Sequence, residues 1–414
     1  MTWPDLSAIL RRRLARITSS GEFIPQIDGL RFLAILLVLG HHVFAGYLVQ
    51  THRLGTQQLP RDWSLIAPRS ALISWVLHLA FGVQLFFVIS GFVLALPFAR
   101  SYLRGSAPPS LKMYYLRRLI RLEPPYILHM IFMFLVIVIP WQEKSPWWYL
   151  YAHVRAFGPH LLATLAYLHA VVYAQPSWIN GVAWSLEIEI QFYIVLPILV
   201  ELFRIRRDLW RRAILIALIV ASALLSQFFV QHSGNARLIL SLANQLQFFL
   251  AGILLVDIYL EPAQILRLGP RIADGLAILN AVLLVYVLHW ASRLAWIEPL
   301  LVLGFYLGVL YGNWASRLFR LPALTLPGGI SYTTYLYHFF IITLLFPLTV
   351  RIFPPGHALW WDAGVQFALM LVPVFGICAV LFLVTEKPFM ILSREVSRRF
   401  RREEPAATCT VPSP

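Results

Sequence analysis

The chain has 414 residues, 59% of them hydrophobic and only 13% charged, with a formal net charge of +15 at pH 7. With a mean hydropathy of +0.71, this composition excludes a soluble globular domain and describes an all-α polytopic membrane protein. The basic surplus would point to nucleic acid in a soluble chain. Here it sits between apolar runs, as in loops facing anionic lipid, so no nucleic-acid partner is assigned.

The first segment, 1–27, carries Arg11, Arg12, Arg13 and Arg16 and has no small-residue cleavage site. The apolar run after it is too long for a signal-peptide core, so it reads as an uncleaved anchor that starts in the cytoplasm. Runs near 20 apolar residues give ten expected transmembrane helices, at 28–50, 73–97, 121–141, 183–204, 212–231, 238–259, 271–290, 295–313, 328–350 and 363–385. The stretch 147–175 is apolar but interrupted by His153, Arg155, Gly158-Pro159-His160 and His169. It reads as a re-entrant or interfacial segment, with an eleventh span as the alternative.

Alternate loops are basic, as a ten-span chain requires. Arg100, Arg104, Lys112, Arg117, Arg118 and Arg121 lie between the second and third runs, and Arg204, Arg206, Arg207, Arg211 and Arg212 between the fourth and fifth. Arg267 and Arg271, Arg317 and Arg320, and Lys387 through Arg402 continue the series. The intervening loops are poor in Lys and Arg, apart from Arg53, Arg61 and Arg69. Both termini are therefore expected in the cytoplasm, with a membrane domain over 28–390 and a basic, Pro-rich, disordered tail over 391–414. Cys378 lies in an apolar run and Cys409 in the polar tail, so neither a disulfide nor a cysteine metal site is implied. No internal repeat is found.

Ionisable groups inside spans are costly and usually functional. Arg31 and His42 stand eleven residues apart in the first run. At about 100° per residue they share one helix face, about 16 Å apart, so they can hold the two ends of one long ligand. An arginine at a helix start equally marks the membrane interface, and a histidine equally bonds a neighbouring helix. His41 lies about 100° away around the helix from His42. In the fourth run Ser185, Glu189 and Tyr193 follow at i, i+4 and i+8, with Glu187 and Gln191 on another side. Ser331, Tyr335 and His338 share a face of the ninth run, as catalytic groups or as interhelical hydrogen bonds. Arg117, Arg118 and Arg121 are helical neighbours expected at a helix entrance; guanidinium forks suit phosphate, and plain topology signalling is the alternative. The small residues from Gly82 to Phe92 permit close helix approach or a broken helix. No Gly-rich phosphate loop, metal-ligand spacing or nucleophile elbow is present, so no metal is assigned.

Six segments together resemble an integral membrane acyltransferase family, acyltransferase 3, the O-acetylase group acting on lipopolysaccharide, exopolysaccharide and Nod-factor sugars. Asp28-Gly29-Leu30-Arg31 through His42 is similar to its Arg-x10-His motif, Gly82 to Phe92 to its Gly-x-x-Leu-Phe-Phe segment, and Arg117 to Tyr126 to its Arg-Arg-x-x-Arg motif. Trp184 to Tyr193, Ile330 to His338, and Glu386-Lys387-Pro388-Phe389 are similar to its later signatures. Gln84 stands where an acidic residue is common and Ile190 where a second glutamate often follows, so only Glu189 is carried over. Some relatives carry a fused extracytoplasmic SGNH hydrolase-like domain, which this chain is expected to lack.

The resemblance implies acetyl-CoA or another acyl-CoA as donor substrate, no permanently bound cofactor, and a hydroxyl of a lipid-linked or cell-surface glycan as acceptor. It implies Arg31, Arg117, Arg118 and Arg121 as CoA-binding residues. His42 and Glu189 are then catalytic, His42 as a base and Glu189 orienting it or holding its proton, with Ser185, Tyr193, Ser331, Tyr335 and His338 in support. A bacterial inner membrane is the expected location. A proton-coupled transporter, which also uses intramembrane His and Glu, is the rival reading; it predicts repeats and needs no arginines crowded at one mouth. The sequence does not specify an oligomeric state.

Overall fold

The computed structural model describes residues 13–14, 23–50, 78–139, 147–262 and 269–403. Most of the expected cytoplasmic segment 1–27, the start of the second expected span, Arg53, Arg61, Arg69, Arg267, and the tail beyond Glu403 with Cys409 lie outside the described residues. Among those described, all regular structure is helical. The helices are α1 (Pro25–Gln50), α2 (Gly82–Arg104), α3 (Leu111–Val138), α4 (Trp147–Leu165), α5 (His169–Tyr173), α6 (Trp184–Leu199), α7 (Asp208–Leu225) and α8 (Leu242–Leu260). They continue as α9 (Pro270–Trp290), α10 (Glu298–Tyr311), α11 (Trp314–Phe319), α12 (Pro322–Gly329), α13 (Ser331–Ile352), α14 (Leu359–Leu381) and α15 (Lys387–Glu403).

Nine helices among the described residues are long and apolar enough to cross a membrane. The chain is an integral, multi-pass membrane protein. The expected fourth span is the shorter α6, which contains Pro197 and passes into a 3-10 segment, Val200–Arg204. The third span differs more from expectation. Its helix starts at Leu111, where the Ser110 side chain accepts from Met113 N–H, and it runs on through Pro124 and Pro125. Arg117, Arg118 and Arg121 therefore lie inside the helix and not at its entrance. The stretch 147–175 forms α4, a turn and the short α5, packed beside α3 and α6.

The centre of the bundle is α8, buried along almost its whole length and packed on α2, α7 and α10. Two close crossings set the frame. Where α2 meets α8, a Cβ at Gly91 would collide with the Phe249 carbonyl, and one at Gly252 with the Val88 carbonyl. Where α1 meets α12, a Cβ at Gly328 would collide with the Asp28 carbonyl. Small residues let backbones touch in this way, and here they fix the start of α1 and with it Arg31. Gly328→Ala is expected to lower stability by about 1–3 kcal/mol through overpacking. Gly275→Ala in α9, where nothing lies within 4 Å of the new carbon, should leave the melting temperature in nanodiscs unchanged or raised. Equal melting temperatures for the two variants would contradict the close crossing.

Some loop arginines also serve the bundle. Arg211 is fully buried, ion-paired to Asp257 and, at 2.7 Å, to Glu261; Arg212 reaches Asp257 at 2.6 Å. Together they lock α7 to α8.

Candidate functional site

Three adjoining cavities run through the helices around α1. The widest, about 840 Å³, lies among the starts of α1 and α3, the second half of α2, and α15. Arg31, Arg117, Arg118, Arg121, Arg100 and Lys112 line it, and Ser393, Ser397 and Phe400 of α15 close one side. Ser393 holds α15 in place by donating to the Arg117 carbonyl at 3.4 Å. A narrower cavity of about 110 Å³ shares Arg31, Arg118, Arg121, Val93 and Leu94 with the first. Its wall adds Ser90, Ser185, Glu189, Tyr193, Ser331 and Tyr335. An inner cavity of about 140 Å³ shares Val83 and Tyr335 with the second and is lined by His41 and His42.

The charges along this path are arranged by local bonds. Arg31, 9% exposed, is ion-paired with Asp28 one turn earlier, at the junction of the first two cavities. Arg121 stands 4.0 Å from Glu386, which accepts a hydrogen bond from Thr333 at 2.6 Å. Arg118 lies over the Tyr193 ring, 5.7 Å from its centroid. Such guanidinium groups present planar forks to phosphate.

In the narrow cavity Glu189 accepts from the Ser90 hydroxyl at 2.8 Å and from Tyr193 at 2.6 Å. The Ser185 hydroxyl contacts the Tyr335 hydroxyl at 2.6 Å, and both reach the Val182 carbonyl, tying α6 to α13. Glu187 is wholly buried and accepts the Ala170 backbone N–H at 2.9 Å, fastening α5.

At the inner cavity His42 Nδ1 is 2.9 Å from the Val38 carbonyl and 3.2 Å from His338 Nε2. The rings of His41 and Phe339 stand edge-on to it, with centroids 5.0 Å and 5.5 Å away.

All eleven residues singled out from the sequence belong to this path or touch it. Arg117 lines only the wide cavity, while Arg31, Arg118 and Arg121 line both the wide and the narrow one. Ser185, Glu189, Tyr193 and Ser331 line the narrow one, Tyr335 both inner ones, and His42 the innermost. His338 stands behind His42. No hydrogen bond joins Glu189 to His42 among the described residues, so the structure places the carboxylate with Ser90 and Tyr193 and places His338 against the imidazole. His41 shares the inner wall with His42 despite its different azimuth. Sequence reasoning gave no role to Asp28, Ser90, Thr333 or Glu386, or to the α15 face. Asp28, Ser90, Thr333 and Glu386 all lie within the quoted motifs; the α15 face had no local signal.

The sequence profile of a family described as an acyltransferase domain matches residues 24–383. A Staphylococcus aureus (strain COL) protein named "Putative O-acetyltransferase" is 23% identical over 356 residues, covering 78% of this chain and 51% of that protein. O-acetyltransferase OatA of the same strain is 24% identical over 367 residues, covering 81% of this chain and 53% of OatA. The chain thus spans about half the length of the curated relatives it matches. No solved structure matches it.

Proposed function

Because this chain belongs to the acyltransferase family whose profile covers residues 24–383, we propose that it moves an acyl group, acetyl foremost, from acyl-CoA to a hydroxyl of a cell-surface or lipid-linked glycan. The observation that carries the reading is the sequence of cavities from the arginines of the wide cavity to the two imidazoles of the inner one, each sharing wall residues with the next. CoA has phosphates for Arg31, Arg117, Arg118 and Arg121 in the wide cavity. Its extended arm fits the narrow one, and the thioester then reaches the inner cavity. His42 takes the proton of the acceptor hydroxyl as the oxygen attacks the thioester carbonyl. The tetrahedral intermediate collapses, the C–S bond breaks, and the CoA thiolate leaves and takes up the proton, giving ester and free CoA. The basic mouth faces the cytoplasm of a bacterial inner membrane in this reading, since CoA is held there and basic loops face that side. The relatives' O-acetyltransferase names support the same class of transfer.

The test is radiolabelled acetyl-CoA incubated with purified protein and fractionated membrane glycans. Label on a glycan, released by mild alkali as an ester is, is the expected result. Absence of both transfer and CoA binding at low salt would favour the transporter.

Glu189→Gln is expected to lower kcat/KM by about tenfold or more, because a carboxylate that accepts two hydroxyl bonds at the cavity wall is replaced by an amide. Glu187→Gln keeps an oxygen for Ala170 N–H, so its activity should stay near wild type. Comparison of the two in folded, membrane-inserted protein decides; equal losses would remove the distinction.

A further inference from the structure

Behind the inner cavity stands a third histidine that lines none of the three cavities but touches His42, which lines the inner one. His338 Nδ1 is 2.7 Å from the Tyr335 carbonyl and 3.1 Å from that of Thr334, and its Nε2 is 3.2 Å from His42 Nδ1. We propose that His338 is a positioning residue that fixes the His42 proton on Nδ1, leaves His42 Nε2 as the basic nitrogen, and forms with it a two-imidazole proton relay.

Which atoms can donate fixes the tautomers. A carbonyl oxygen accepts and never donates, so His338 Nδ1 carries a hydrogen. In the neutral ring the lone pair is then on Nε2, the atom facing His42. His42 Nδ1 lies 2.9 Å from the Val38 carbonyl, and so it too carries a hydrogen, shared between that carbonyl and His338 Nε2. The other tautomer of His42 would set its Nδ1 lone pair against a carbonyl lone pair and an imidazole lone pair at once. With Nδ1 occupied, Nε2 is the remaining acceptor, and it has no hydrogen-bond partner among the described residues. A hydrogen bond held at one ring nitrogen decides which nitrogen of an imidazole is left basic.

The same contact serves the proton in transit. No carboxylate contacts either ring among the described residues; their ring neighbours are His41, Phe339 and Tyr335. When His42 Nε2 takes the hydroxyl proton, its Nδ1–H becomes a stronger donor to His338 Nε2. Passing that hydrogen on leaves His42 neutral and puts the charge on His338, whose Nδ1–H is already held by two carbonyls. Return of the hydrogen restores both rings when the thiolate removes the proton from Nε2, so nothing is consumed.

The tautomer stands on hydrogen-bond geometry alone, whereas the relay rests on the acyl-transfer reading. Nitrogen-15 solid-state NMR of histidine-labelled protein in nanodiscs, with His42 signals assigned by difference against His42→Gln, is expected to show a protonated Nδ1 and a bare Nε2 at neutral pH. A proton on Nε2 would overturn the proposal whether or not the protein transfers acyl groups. In turnover, His338→Leu is expected to lose about tenfold or more in kcat with CoA affinity unchanged. His338→Gln, whose side-chain oxygen can accept from His42 Nδ1, should recover a substantial part. Wild-type kcat in His338→Leu, or equal impairment of the two variants, would reject the relay. Should His338→Leu fail to fold, the wild-type spectrum still decides the tautomer and His338→Gln the kcat.

Discussion

Replacing His42 with alanine is expected to lower turnover by about a hundredfold or more while leaving CoA affinity nearly intact, because a general base acts chiefly in the transition state. His42 lines the cavity farthest from the arginines. On the proposed reading, its loss therefore removes no group that meets a CoA phosphate. The wild type should also lose activity as pH falls, since an imidazole that already holds a second proton cannot accept another. His41→Ala is the comparison. Both histidines border the inner cavity, but among the described residues it is His42 whose ring nitrogen meets that of His338, so the His41 variant should be milder. If turnover persists in His42→Ala and vanishes in His41→Ala, the catalytic assignment moves one residue. If neither change matters, histidine chemistry at this cavity is excluded.

Arg118→Gln is expected to weaken CoA binding by about 10- to 150-fold, the equivalent of losing one charge-assisted contact of roughly 1.5–3 kcal/mol. Arg118 borders both the wide and the narrow cavity and lies over Tyr193. It is a cleaner probe than Arg31, whose removal would take an ion-pair partner from the buried Asp28 carboxylate and so disturb folding. Calorimetry with CoA and dephospho-CoA at two salt concentrations separates the phosphates. Unchanged affinity for both ligands would place the head group elsewhere.

The first of these sites was legible because Arg31 and His42 lie on one helix, where the period alone puts them on one face. The arginines of α3 were legible as a cluster but not as part of a helix interior. A hydropathy window begins where charges stop, whereas the helix begins at its Ser110 cap. The fourth span was blurred in the opposite sense: apolarity continues past Leu199 although the α-helix, carrying Pro197, has given way to a 3-10 turn. Glu189 was correctly placed on a stripe with Ser185 and Tyr193, but its distance from His42 depends on how α6, α1 and α13 pack. His338 meets His42 across 296 residues, and no periodicity reports such a contact. Pairings inside a helix can be read from spacing; pairings between helices arise only from packing.

In the proposed reaction one acyl-CoA spans the cavities from the arginines to His42. The most direct measurement is an experimental structure in lipid nanodiscs with a non-hydrolysable thioether analogue of acetyl-CoA. The expected result places the phosphates against Arg117, Arg118 and Arg121, the arm beside Glu189 and Tyr193, and the acyl carbon beside His42, near enough for a hydroxyl to sit between them. Phosphates bound away from those arginines, or an acyl end that stops in the wide cavity, would contradict it.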